Sequence, residues 1–139
     1  MTAPKNHIEE GKPQLSLIPD DLLRDFLEPT YQEGLVKYSR ESWREGFPIT
    51  VMMDALKRHM TAFFYDGEDY DSESKEKYGI KKHHLGAALF CVLCMCDTMK
   101  NHPELDDRRK KPQAGTIEPI EFSFSKMTEE KLPQPEIRY

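Results

Sequence analysis

Between Arg58 and Glu73 the chain reads RHMTAFFYDGEDYDSE, its densest gathering of side chains able to do chemistry. Arg58 and His59 come first, and Asp66, Glu68, Asp69, Asp71 and Glu73 then place five carboxylates within eight residues. Clustered oxygens suit hard divalent cations, and Mg2+ takes one or two carboxylates together with substrate phosphates. The same run also reads as a solvated acidic turn, the ordinary place of surface charge. An EF-hand is excluded, because counting from Asp69 puts Ser74 at the required glycine and Ile80 at the closing glutamate. Neither a GxxxxGK[ST] loop nor GxGxxG occurs, and there is no G-x-S-x-G elbow. The chemistry left for carboxylates, histidines and cations is attack of water on a phosphoanhydride, assisted by a metal that lowers the pKa of the water.

Other candidates lie apart in sequence. Lys12, Lys37 and Arg58 are cations suited to phosphate, though each alone is an ordinary surface charge. Trp43, the single tryptophan, can stack on a base or cap the core. Glu33 either faces inward as a metal ligand or pairs with Lys37, its i+4 neighbour. His84 opens a later helix near the acidic turn. His59 lies about two helical turns before that turn, so the rise per residue places it farther down the bundle.

The elements that must position these groups are helices. Pro19-Asp20-Asp21 opens one that carries Leu22, Leu23, Phe26 and Leu27, and Pro29-Thr30 restarts it through residue 38. Ser39 to Pro48 reads as a loop. Thr50 is placed to cap a helix whose stripe is Met52, Ala55, Leu56, His59, Ala62 and Phe63. After the acidic turn, KEKYGIKK reads as a lysine-rich connector. His83 to Lys100 then forms a helix apolar on most sides, which belongs at the centre of a bundle. Cys91, Cys94 and Cys96 fall inside it and read as core, since a metal would lack a fourth ligand.

The expected fold is therefore all-α, a small helical bundle over residues 1–100. Residues 101–139 form an extended arm holding five of the ten prolines, with Ile120, Phe122 and Phe124 alternating as one short strand would. The 139 residues are 37% hydrophobic with a net charge of −5, so no basic surplus points to duplex nucleic acid. The amino-terminal stretch has no apolar core of a signal peptide, and the longest apolar run is about half a membrane span. Three unpaired cysteines suit a reducing compartment, and a cytoplasmic protein is expected.

Four segments, GKPQLSLIP, YQEGLVKYSRESWREG, DALKRHMTAFFYDGEDYDSES and HHLGAAL, resemble the phage family of dATP/dGTP diphosphohydrolase N-terminal domains. The resemblance spans about residues 10–97 and keeps the motif order. Its most specific part is R-H-x-x-A-x-x-x-x-G-E-D-x-D-x-E-S, here Arg58 to Ser74. It implies a protein of phage or prophage origin, akin to the all-α MazG-type pyrophosphohydrolases, which split dNTPs to dNMP and pyrophosphate with Mg2+. Lys12 stands in the G-K motif, Lys37, Tyr38 and Trp43 in the K-Y…W motif, and His84 in the H-L motif. Ala87 stands where the family has a second histidine, and the stretch between Ser74 and His84 is longer than usual.

The leading expectation is a nucleotide pyrophosphohydrolase acting on purine dNTPs with Mg2+ (or Mn2+), and forming a homo-oligomer. Its catalytic candidates are Glu68, Asp69 and His59, and its metal candidates Glu33, Glu68, Asp69, Asp71 and Glu73. Lys12, Lys37, Tyr38, Trp43, Arg58 and His84 are the candidates for binding substrate. The rival readings are a protein that binds or sequesters a nucleotide without hydrolysis, and a structural or interaction module.

Overall fold

Pro29 cannot donate a hydrogen bond to the carbonyl four residues before it, so a regular α-helix cannot pass through it unchanged. In the computed structural model, which describes residues 11–110, the chain meets this problem by widening rather than breaking. Asp20–Leu22, the π-helical Leu23–Leu27 and Glu28–Lys37 follow one another in helical geometry as a single rod, α1. The expected restart at Pro29 is thus a π segment that ends two residues before the proline. Tyr38 is extended and ends the rod.

Helix α2, Ile49–Phe64, carries the apolar stripe predicted for it, with Ile49 and Met52 buried. Its cap is different from the expected one. Pro48 is the N-cap, and Thr50 lies inside the first turn. There the Thr50 N–H donates to a carboxylate oxygen of Asp107 at 2.9 Å, and the Thr50 hydroxyl donates to the other. A remote aspartate therefore supplies both the acceptor and the negative charge that a helix amino end favours.

A further helix, α3, Ser72–Tyr78, spans the end of the expected acidic turn and the start of the expected lysine-rich connector. A helix this short has little stability of its own, and both its ends are closed. The Asp71 carboxylate accepts from Glu73 N–H at 3.0 Å and from Ser74 N–H at 3.4 Å. Gly79, at φ 67°, takes the left-handed conformation that ends the helix. Tyr70 and His83 form an isolated antiparallel bridge across its base.

Helix α4, His84–Asn101, packs against α1 and α2 and buries His84, Gly86, Ala87, Ala88, Cys91, Cys94, Asp97 and Thr98. A Cβ added at Gly86 would lie 1.7 Å from the carbonyl oxygen of Phe26, so the α1 backbone crosses α4 here. The helix is not central on every side: Val92, Cys96 and Met99 are exposed. Cys96 is two residues, about 200°, around the helix from Cys94, which turns it away from the core. Of the three cysteines expected in the core, only Cys91 and Cys94 are there. Burial pushes the Cys94 thiol up to about 12 and raises that of Cys91 as well. In the native protein a thiol reagent should modify one cysteine rapidly, and Cys96→Ser should abolish that fast phase. A fast phase of two or three thiols would mean that α4 opens readily.

Thr98 holds the loop before α2 in place. Its hydroxyl donates to the Phe47 carbonyl at 2.7 Å and accepts the Phe47 N–H at 3.4 Å. His102 reaches the Arg44 carbonyl at 2.7 Å. Between these anchors the loop forms a 3-10 turn, Ser42–Glu45, which presents Trp43. The contacts of the chain divide it into Met1–Arg108 and Arg109–Tyr139. The possible strand at Ile120 to Phe124 lies outside the described residues. Among the described residues the elements are helical, with no strand, and no helix is long and apolar enough to cross a membrane.

Candidate active site

Two histidines that helix arithmetic separates are in contact. His59 Nδ1 and His84 Nδ1 lie 2.9 Å apart. The expectation fails because the acidic turn does not run on beyond the end of α2. Glu68 N–H returns to the Ala62 carbonyl at 3.0 Å, and His84 N–H bonds the Asp69 carbonyl at 2.9 Å. The first residue of α4 therefore lies beside the last third of α2 rather than above it. The other ring nitrogen of His84, Nε2, is 3.1 Å from Glu68 Oε1. That bond, helped by the Ser72 N–H, holds the Glu68 carboxyl below its usual range. Burial, with the charges of Lys82 and His84, lowers the His59 pKa to about 4, so its imidazole is neutral at pH 7.

A second polar group adjoins this pair. Glu33, 3% exposed, projects from α1 and is bound from three sides. Lys82 Nζ lies 2.6 Å from Oε2, Lys37 Nζ lies 2.9 Å from Oε1, and the Ser74 hydroxyl donates to Oε1 at 3.0 Å. Burial opposes ionisation of Glu33, but the two ammonium groups and the hydroxyl outweigh it and lower the pKa. Lys82 also lies 3.5 Å from Asp71 Oδ2. For Asp71 too, burial works upward, and Lys82 with the two capping N–H groups brings the net shift down.

His59, Glu33, Lys37 and Lys82 border a cavity of about 620 Å³, within the range of small-molecule sites. Tyr31, Trp43 and Phe90 contribute a cluster of rings in edge-to-face contact, with centroids 5.3 to 6.1 Å apart. Arg58 also lines it. Thr30 Oγ1, buried in the same wall, has no hydrogen-bond partner among the described residues.

Of the expected substrate-binding residues, Lys37, Tyr38, Trp43 and Arg58 line the cavity, and His84 stands behind its wall against His59. Lys12 is exposed before α1 and is not part of the lining. The five expected metal ligands do not converge. Glu33 is taken by Lys37, Lys82 and Ser74. Glu73 pairs with Lys77 on the exposed side of α3 at 2.6 Å. Asp69 is exposed, and Asp66 lies in the exposed turn. Asp71 and Glu68 are the two of the five that stand beside the histidines, and Glu68 is bonded to His84.

Tyr31, Phe90, Thr30 and Lys82 were not visible as site residues in the sequence. Tyr31 and Phe90 read as parts of apolar helices, Thr30 as the restart of its helix beside Pro29, and Lys82 as part of a lysine-rich connector. The signal for Lys82 was its place two residues before His84, where the chain enters the helix that carries the site.

The comparisons agree with the geometry as far as they reach. No curated protein and no solved structure matches the chain. The model of the family described as dATP/dGTP diphosphohydrolase, N-terminal, matches residues 2–108 and so takes in every residue that lines the cavity. That match covers most of the 139 residues, and the chain with its helical cavity belongs to the dATP/dGTP diphosphohydrolase N-terminal family.

Proposed function

We propose that the cavity binds a purine deoxynucleoside triphosphate and that the protein hydrolyses it to the monophosphate and pyrophosphate. The observation that carries this reading is the mixed wall of the cavity. A nucleotide joins a flat aromatic base to a row of anionic phosphates, and the same cavity offers three rings and the cations Lys37, Arg58 and Lys82. Base–aromatic contacts and charge-assisted bonds to phosphate are the two interactions such a ligand needs. The family description supports hydrolysis of a nucleotide, and the choice of purine triphosphates follows the same source.

In the reaction the oxygen of water forms a bond to the α-phosphorus, the bond to the bridging oxygen breaks, and pyrophosphate leaves. Arg58 and Lys82 balance charge on the phosphates, and His59, neutral at pH 7, offers a nitrogen lone pair beside them. A bound divalent cation would spread the remaining negative charge.

The full chain is to be incubated with each dNTP and Mg2+ or Mn2+, with monophosphate and pyrophosphate both measured. dATP or dGTP should give equal amounts of the two products, and Arg58→Ala should raise KM about tenfold, the loss of about 1.4 kcal/mol of phosphate binding. A specific observation favours a second reading, a nucleotide-sequestering protein: the carboxylates expected to hold Mg2+ are dispersed or already paired. Calorimetric binding of a dNTP with no product would select it. Neither product nor binding would remove both.

A further inference from the structure

We propose that His59, His84 and Asp71 form a site for one divalent transition-metal ion of the zinc type, with Glu68 orienting His84. One ligand atom from each of the three residues lies within 4.8 Å of those of the other two. The two Nδ1 atoms are 2.9 Å apart. Nitrogens bound to one ion at about 2.0–2.1 Å stand about 3 Å apart at a right angle and about 3.4 Å apart in a tetrahedron. The spacing therefore suits two ligands of a shared ion, and a ligand oxygen of Asp71 stands within 4.8 Å of a ring nitrogen of each histidine.

The surroundings are those of a metal site in a second respect. A ligating histidine generally gives its remaining ring N–H to a carboxylate, which fixes the tautomer and aims the other nitrogen at the ion. His84 does this: Nε2 faces Glu68 Oε1 at 3.1 Å and Nδ1 faces His59. Asp71 is fixed as well, since Oδ1 caps α3 through two backbone N–H groups. His84 is 5% exposed and Asp71 half-buried, so the ligands are held by packing rather than displayed on a loop.

Donor chemistry then selects the ion. Two of the three donors are imidazole nitrogens, which suit zinc, iron, nickel and copper, whereas Mg2+ prefers an all-oxygen shell. Three protein ligands leave a coordination position open. The nearby Lys82 does not annul the site, because its charge is matched by Glu33 at 2.6 Å. Since His59 also lines the cavity, the ion would lie where a ligand's anionic groups can reach it. Ion binding itself needs no nucleotide and stands whether or not the cavity hydrolyses one.

The test uses the full chain with Cys96→Ser, which removes the exposed thiol as a competing ligand, and no nucleotide. Calorimetry with Zn2+ should give one site per chain, with Mg2+ weaker by a factor of at least about 100. Co2+ should give a visible absorption band that Zn2+ displaces. His59→Gln and His84→Ala should each remove the band, and Glu68→Gln should weaken Zn2+ binding by about 10–100-fold. Absence of Zn2+ binding, equal affinity for Mg2+, or a band unchanged by His59→Gln would each overturn the site. The preference for Zn2+ over Mg2+ is read on chains with all four site residues intact, so it decides the question even where a variant unfolds.

Discussion

Glu33→Ala is expected to lower the unfolding free energy by about 3–5 kcal/mol, the usual cost of removing one partner from a buried ion pair. The carboxylate is 3% exposed and holds Lys82, whose side chain is 11% exposed, together with Lys37 and the buried hydroxyl of Ser74. Among the described residues, alanine would leave Lys82 with only Asp71, at 3.5 Å, to balance it. It would also separate α3 from α1, because Ser74 reaches Glu33 across 41 residues of sequence. Chemical denaturation at pH 7 measures the difference directly, and a loss below about 1 kcal/mol would show a pair screened like a surface bridge. The dependence on pH has a definite sign. Glu33 has a folded-state pKa below its unfolded value, so its stabilisation is full above the unfolded carboxyl pKa of about 4.3. It is lost as pH falls through the folded value. The wild type should therefore approach the variant in stability only in acid.

The second large effect is expected at Gly86. An alanine Cβ there would lie 1.7 Å from the Phe26 carbonyl oxygen and 2.6 Å from its carbon, so backbone rather than a movable side chain must yield. Forcing α1 and α4 apart should cost about 2–3 kcal/mol, as overpacking a dense contact does. This net loss appears despite the gain of about 1 kcal/mol that alanine brings to a helix interior. Gly34 is the control: it too lies in a helix, but an added Cβ meets nothing within 4 Å. Gly34→Ala should stabilise by about 0.5–1 kcal/mol. If both variants stabilise, the two helices have room to separate and Gly86 is not a contact point.

The parts of this structure that sequence revealed are the local ones. The stripe from Met52 to Phe63 and the apolar run from Leu85 onward each declare a helix, because burial repeats with the period of the backbone. The caps of α3 are also local, yet Asp71 reads as a metal candidate and KEKYGIKK as a charged connector, which divides a seven-residue helix between turn and connector. Pairings across the fold were not legible. His59 and His84 are 25 residues apart, and their contact depends on how the turn re-enters beside α2, which no periodicity states. Carboxylate density was a fair guide to where the site lies and a poor guide to its ligands, since backbone N–H groups and lysines claim several of the oxygens. Glu33 was recognised both as an inward-facing residue and as a partner of Lys37. Its tighter bond to Lys82 required the third dimension.

The π-helical stretch at Leu23–Leu27 gives the length of this segment a tolerance of its own. A π turn holds more residues than an α turn, so the stretch stores a surplus of chain within an otherwise regular rod. Deleting one residue there would remove that surplus and let the rod regularise, the segments on either side keeping nearly their present orientation. A single-residue gap, which changes no charge and removes no ligand, would thus leave the packing of α1 on α4 in step with the site that the same rod carries.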